Sequence, residues 1–275
     1  MFGGLEKPLV MGILNVTPDS FSDGGQFLAV DDAVQQVERM LAAGADIIDI
    51  GGESTRPGAV SVSAEEQIQR IVPVIQAIRQ RGIAVLISVD TTLSGVAQAA
   101  LLAGANIIND VSAGDDDVSI LSLAAQMQVP IILMHRQGSP QTMQDNPHYD
   151  NVVQEVVDSL KAKIDAALAV GIKPDNIIID PGIGFGKRKQ DNLDLLARLD
   201  SLVVLGFPVL LGTSRKRFMG SICNVSEPYE LVTATAVTTA LGVMAGVKIF
   251  RVHDVKENKQ AVDVAWAIKR SGLTL

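Results

Sequence analysis

Asp90, Asn109 and Asp180 each end a short apolar run: Ile87-Ser88-Val89-Asp90, Ile107-Ile108-Asn109 and Ile177-Ile178-Ile179-Asp180. None has a cationic neighbour in sequence. A carboxylate drawn out of water needs donors, or its pKa rises. Two acids and an amide converging on one pocket make an acceptor-rich receptor. It suits a flat, donor-rich heterocycle such as an aminopyrimidinone, whose adjacent N–H groups a carboxylate takes in bidentate fashion. A single such acid reads as a helix cap or a binder of loop amides. Three of them at the ends of three runs favour a ligand.

The complementary cations come late in the chain. Gly212-Thr213-Ser214-Arg215-Lys216-Arg217 follows one apolar run, and Arg251-Val252-His253 ends the last. Strand alternation puts residues 251 and 253 on one side. Arg56, in a glycine-containing stretch, is a third source of charge. Arg and Lys suit phosphate oxygens, and at least one of Arg215 and Arg217 reads as solvated surface charge. Asn15 offers a neutral oxygen to a hydrated Mg2+ accompanying phosphates. His135 ends another run and reads as a hydrogen-bonded structural residue rather than a catalytic one. The glycines of Asp180-Pro181-Gly182-Ile183-Gly184-Phe185-Gly186 lack the G-x-G-x-x-G spacing of a dinucleotide loop and instead suggest close backbone approach to a ligand, with Phe185 covering a ring or joining the core. No zinc set and no G-x-S-x-G elbow is present.

These groups need a common platform. Eight apolar runs recur: Val10–Leu14, Ile47–Ile50, Leu86–Val89, Ile107–Ile108, Ile131–Met134, Ile177–Ile179, Val209–Leu211 and Lys248–Val252. Segments of helix composition separate them, at about 30–43, from Ser63, and at about 93–103, 118–127, 149–170, 192–201, 229–245 and 256–271. Ser63 and Glu66 have capping-box spacing, and Gly44 stands where a helix would end. Eight strand–helix units predict an α/β fold, a single-domain (β/α)8 TIM barrel over residues 1–275, with its site at the C-terminal ends of the strands. The loops 16–26 and 51–62 are long enough to act as lids.

Composition narrows the class. The chain of 275 residues is 47% hydrophobic but only 4% aromatic, so Ile, Val, Leu and Ala must fill the core. A net charge of −8 argues against a general nucleic-acid surface. No run approaches the length of a membrane span, and Met1–Pro8 lacks the pattern of a signal peptide. With a single cysteine, Cys223, read as a buried small hydrophobe, the expectation is a soluble cytoplasmic protein.

These residues, in this order, resemble the dihydropteroate synthase family over nearly the whole chain. The resemblance rests on Gly12-Ile13-Leu14-Asn15-Val16-Thr17-Pro18-Asp19-Ser20-Phe21-Ser22-Asp23-Gly24-Gly25 and on Asp49-Ile50-Gly51-Gly52-Glu53-Ser54-Thr55-Arg56-Pro57-Gly58. Ser88–Thr91, Asn109–Val111, Asp180–Phe185, Ser214–Lys216 and Arg251–His253 also match. The resemblance implies coupling of a dihydropterin hydroxymethyl diphosphate to p-aminobenzoate. By similarity Asp90, Asn109, Asp180 and Lys216 hold the pterin, and Thr55, Arg56, Arg251 and His253 contact the diphosphate. Asn15 contributes to a Mg2+ site. Phe21, Pro57, Phe185 and Ser214 surround p-aminobenzoate, and Asp23 helps order the closed site. Asp90, Lys216 and Asp23 are thus the expected catalytic groups, and a homodimer through the last barrel helices is expected. Arg136, where the family often has methionine, and the basic Lys187-Arg188-Lys189 are departures that bear on loop behaviour or surface charge.

Three rivals remain at this point. A pterin-binding methyltransferase domain would use the three acceptors but would not need the cations. A non-catalytic pterin-binding paralogue would not need lids. An aldolase would use Lys216 as a Schiff base.

Overall fold

A computed structural model describes residues 2, 4–16, 26–53, 62–138, 142–143 and 145–272. Eight strands run in parallel: β1 (Leu9–Asn15), β2 (Ile47–Gly51), β3 (Leu86–Asp90), β4 (Ile107–Asp110), β5 (Ile131–Met134), β6 (Ile177–Asp180), β7 (Leu210–Leu211) and β8 (Ile249–Val252). Their order is β6-β5-β4-β3-β2-β1-β8-β7, and a parallel bridge from Ile179 to Val209 closes the ring. This is the expected (β/α)8 barrel.

Alternation along each strand builds two separate cores. Outward residues such as Ile48, Ile50, Ile87, Val89, Ile131 and Leu133 pack against the surrounding helices. Inward residues Met11, Ile47, Ile107, Ile132, Ile178, Leu210 and Ile249 meet inside the barrel, with Phe2 closing the floor. Two residues further along four of those strands, on the same inward face, stand Asp49, Asn109, Asp180 and Arg251. On β3 the inward series runs Leu86, Ser88, Asp90. The barrel is thus apolar at its N-terminal floor and polar at its C-terminal mouth.

The helices are α1 (Gln26–Ala42), α2 (Ala64–Gln80), α3 (Ser94–Ala103), α4 (Ser119–Met127), α5 (Val152–Ala169), α6 (Lys189–Ala197), α7 (Asp200–Val203), α8 (Arg217–Cys223), α9 (Val232–Ala245) and α10 (Val255–Ser271). Ser63 caps α2 by accepting the Glu66 amide at 3.2 Å. Glu66 does not complete a capping box; its carboxylate pairs with Arg70 one turn on. Gly44, at φ 97°, follows α1 in the left-handed conformation its position suggested.

Several boundaries differ from expectation. The expected helix at 192–201 starts earlier and breaks into α6 and α7, because Asp191 accepts the Arg188 amide at 2.7 Å and nucleates a turn from Arg188. The expected helix at 229–245 begins with a 3-10 turn at Pro228–Leu231, and the short α8 precedes it unforeseen. Cys223 ends α8 and is exposed, so it is no core hydrophobe. The two long loops lie largely outside the described residues. No helix among the described residues is long and apolar enough to cross a membrane.

Phe2→Ala removes the plug from the barrel floor. A loss of about 3–5 kcal/mol of stability is expected in urea denaturation. A loss below about 1 kcal/mol would show that the floor does not depend on Phe2.

Candidate active site

The mouth of the barrel is organised around one cation. Arg251 Nε donates to Asp49 Oδ2 at 2.6 Å, and its Nη2 donates to Asp90 Oδ2 at 2.6 Å. Asp49 is fully buried in β2. It also accepts Asn109 Nδ2 at 3.2 Å, which turns the amide so that its oxygen is the group left to meet a ligand. Burial raises the pKa of Asp90; Arg251 opposes that shift, while Asp49 and Asp110 add to it. Burial acts to lower the Arg251 pKa, but the Asp49 and Asp90 carboxylates outweigh it and hold the guanidinium charged.

Three buried polar atoms here have no partner among the described residues: Asp49 Oδ1, Asp90 Oδ1 and Ser88 Oγ. Leaving such atoms unpaired is unfavourable, so native proteins rarely do it away from ligand sites. Gly212, following β7, borders this space: a Cβ there would meet only Arg251 Cβ and Asp180 Oδ2, each at 4.0 Å.

Asp180 lies on the far side of Gly212. Its Oδ1 accepts the Gly182 amide at 2.7 Å. Burial pushes its pKa up to about 6, against the Gly182 hydrogen bond and the nearby Lys216, Lys187 and Arg251. Lys216 Nζ sits 4.1 Å from the centroid of the Phe185 ring, a cation–π contact. Phe185 is buried in a small cluster with Val111, Met134 and Met143. The glycines of this loop serve close approach, but to neighbouring protein rather than to open space. Gly182, at φ 65°, lies so near the Met134–His135 chain that a Cβ would fall 1.9 Å from His135 O.

Ser214 Oγ accepts the His253 backbone N–H at 3.1 Å and shares a hydrogen bond of 2.9 Å with His253 Nδ1. Arg215 adopts φ 58° and grips Asp254 through Nε and Nη2 at 2.9 and 2.6 Å. It is therefore a clamp between the two cationic loops, whereas Arg217 is exposed. Asn15 ends β1 half-buried, in register with Gly51. His135 is buried, and burial and Lys187 together lower its pKa to about 3, so it stays neutral. Glu53 anchors the start of the second loop by accepting Gln67 Nε2 at 2.8 Å and the Val62 amide at 3.2 Å. Phe21, Asp23, Thr55, Arg56 and Pro57 lie outside the described residues.

The structure therefore brings Asp90, Asn109, Asp180, Lys216, Phe185 and Arg251 to one mouth, with Ser214 and His253 beside them. Sequence reasoning missed Asp49 and Lys187. Asp49 was findable, because it stands two residues after inward Ile47 and so shares its face. Lys187, expected with its basic neighbours to bear on loop behaviour or surface charge, is buried.

The barrel thus carries an acceptor-rich mouth flanked by basic side chains. A family profile described as pterin binding enzyme matches residues 11–253. Dihydropteroate synthase of Synechocystis is 47% identical over 98% of this chain and 93% of its own length. The dihydropteroate synthase of Xanthomonas albilineans solved with 4-aminobenzoic acid has a TM-score of 0.89 at 45% identity, covering 96% of this chain and 94% of that one. The same organism's enzyme in complex with 7,8-dihydropteroate has a TM-score of 0.87 at 42% identity, with coverages of 96% and 94%. This chain belongs to the pterin-binding enzyme family and, within it, to the dihydropteroate synthases, which are transferases.

Asp180 supplies a pH test. With a pKa of about 6 it is a carboxylate acceptor above that pH and a neutral acid below it. Pterin affinity by calorimetry should be greatest near pH 8 and fall as the pH drops through 7 and then 6, as Asp90, raised to about 7, and Asp180 lose their charges. The same raised value means that the buried charge opposes folding at neutral pH, relative to the unfolded chain. Asp180→Asn should therefore lose affinity and the step near pH 6, keeping the step near 7 that Asp90 contributes, without losing stability. Retained affinity in that variant would remove Asp180 from the ligand site.

Proposed function

We propose that this chain couples 6-hydroxymethyl-7,8-dihydropterin diphosphate to p-aminobenzoate, giving 7,8-dihydropteroate and diphosphate for folate synthesis. The observation that carries this reading is the set of acceptors at the mouth left unpaired among the described residues, Asp49 Oδ1 and Asp90 Oδ1, next to Asp180. A pterin edge presents the N–H groups these oxygens lack. Asn109 adds its amide oxygen, and Lys216 spans the pterin and p-aminobenzoate sides through its place over Phe185.

The diphosphate belongs on the cationic side. His253 reaches it from the end of β8, and Arg251, with two N–H groups engaged by Asp49 and Asp90, has further donors for it. Thr55 and Arg56 join from the second loop. Asn15 would hold a Mg2+ that travels with the diphosphate; a Mg2+ keeping its waters and phosphate oxygens needs only one or two protein ligands. The described residues contain no cluster of three His, Cys, Asp or Glu, and a substrate-borne ion requires none. Bound Mg2+ supplies charge neutralisation on the leaving group.

The C–O bond to diphosphate breaks first, and its electron pair leaves with the diphosphate. The methylene carbon becomes cationic and conjugated with the electron-rich dihydropterin, with Asp90 as the nearest anion. The amine nitrogen of p-aminobenzoate then donates its lone pair to form the C–N bond and releases a proton. Phe185, Ser214, Phe21 and Pro57 surround the arene, and Asp23 helps close the first loop. Closure keeps out the water that would otherwise capture the cation. No covalent enzyme intermediate is needed.

We also propose a homodimer. Helices α9 and α10 expose Val237, Leu241, Met244, Val264 and Ile268 on the barrel exterior, and such a patch marks an interaction surface. Leu241→Glu should convert a dimer to a monomer in sedimentation velocity. A wild-type monomer would reject the proposal.

The coupling is tested by mixing the protein with the dihydropterin diphosphate, Mg2+ and p-aminobenzoate and following dihydropteroate. Product is expected, with at least a hundredfold loss in Asp90→Asn and Lys216→Ala. Diphosphate released without p-aminobenzoate supports bond cleavage first. A folded wild-type protein that binds pterin but makes no product would point to a non-catalytic paralogue.

A further inference from the structure

The proposed chemistry makes no use of Lys187, although it is one of the most deeply placed cations in the fold. Its side chain is buried, and its Nζ donates to Gly182 O at 2.9 Å, Phe185 O at 3.0 Å and His135 Nδ1 at 2.9 Å, with His135 O at 3.4 Å. An ammonium has three N–H donors, and the three shorter contacts take all of them. The neutral amine has only two, so this geometry calls for the charged form. The charged groups facing Lys187 are Asp180, Lys216 and Asp191. Burial lowers its pKa to about 7, with Asp180 and Asp191 opposing the fall and Lys216 adding to it.

Those three acceptors lie on two loops. Gly182 and Phe185 belong to the turn after β6, and His135 follows β5. The turn is fastened from other sides as well. Tyr149 donates its hydroxyl to Gly186 O at 2.7 Å, and Asn192 Oδ1 accepts the Gly184 amide at 2.7 Å. Lys187 is the charged member of this set and the one bonded directly to the carbonyl of Phe185. The ring of that residue lies under Lys216.

We propose that Lys187 is a positioning residue for the coupling reaction: its ammonium fastens the 182–186 turn to His135 and so sets the level at which Phe185 and Lys216 meet p-aminobenzoate. The proposal rests on the coupling reaction put forward above, with Phe185 on the p-aminobenzoate side. It also assigns His135, as a neutral acceptor through Nδ1, to this fastening rather than to proton transfer.

The test compares wild type, Lys187→Met and Lys187→Arg, with Phe185→Ala as a control. A small misplacement of a substrate contact is felt strongly in rate or binding, so Lys187→Met should raise KM for p-aminobenzoate about tenfold or more. Its affinity for the bare pterin, measured by calorimetry at pH 8, should fall by clearly less than KM rises, because Asp49, Asp90 and Asn109 make no bond to this turn and only Asp180 accepts from its Gly182 amide. Lys187→Arg should recover part of the loss. A second readout needs no turnover. In histidine-resolved NMR, His135 should stay unprotonated in wild type and become protonated at a higher pH in Lys187→Met. If Lys187→Met does not fold, Lys187→Gln is read in the same way.

Equal weakening toward both substrates, or unchanged kinetics alongside an altered His135 signal, overturns the positioning role. An unaltered His135 signal overturns the fastening itself. A Phe185→Ala variant with unchanged KM for p-aminobenzoate removes the ring from that site and this proposal with it. Wild-type protein that forms no dihydropteroate is instead the failure of the coupling reading, and the NMR comparison separates the two.

Discussion

Arg251 reaches across the inside of the barrel to two acids on neighbouring strands, and the mouth takes its form from that reach. Asp49 and Asp90 alone would be like charges side by side in a buried space. The guanidinium between them binds one oxygen of each and opposes, without cancelling, the burial that raises the Asp90 pKa to about 7. The second oxygen of each carboxylate then remains buried and unpaired among the described residues. A pair that satisfied both partners fully would stabilise the fold and bind nothing. This one leaves acceptors over, which is the property a pterin site requires.

The same half-satisfaction sets the electrostatics across the mouth. Asp180, without a direct ion pair to Arg251, is held by a backbone amide and by more distant cations, and its pKa rises to about 6. It is ionised at neutral pH but near its limit. The site thus keeps acidic groups where the heterocycle would lie, with Arg251 and His253 toward the side where the leaving anion would lie. The division follows from which strands contribute: β2, β3, β4 and β6 bring acceptors, while the ends of β7 and β8 bring cations.

Much of the surrounding structure holds loops rather than ligands. The Arg215–Asp254 clamp keeps a strained backbone at the residue between Ser214 and Lys216. Arg136, the departure from the family pattern, pairs with Asp116 and so ties the β5 loop to the β4 loop. Lys187, Tyr149 and Asn192 converge on the turn that carries Phe185. Placing site residues on loops that are pinned by several independent bonds limits the motion that would blur their geometry.

The order of apolar runs and the residues at their ends were enough to predict the barrel and to select Asp90, Asn109, Asp180 and Lys216, because strand periodicity and chain order are local properties. The capping of α2 by Ser63 and the ending of α1 near Gly44 were legible for the same reason. Cys223, expected to be buried, is exposed, and the burial of Lys187 could not be told from its basic neighbours, because composition does not say which side of a loop or short helix faces the protein. Arg251 illustrates the remaining gap. Its type and its place after the last run marked it as a cation at the mouth, but its partners Asp49 and Asp90 lie 202 and 161 residues away in the chain. Only closure of the barrel brings β8 within reach of β2 and β3, and only that proximity decides which oxygens are used and which are left for a ligand.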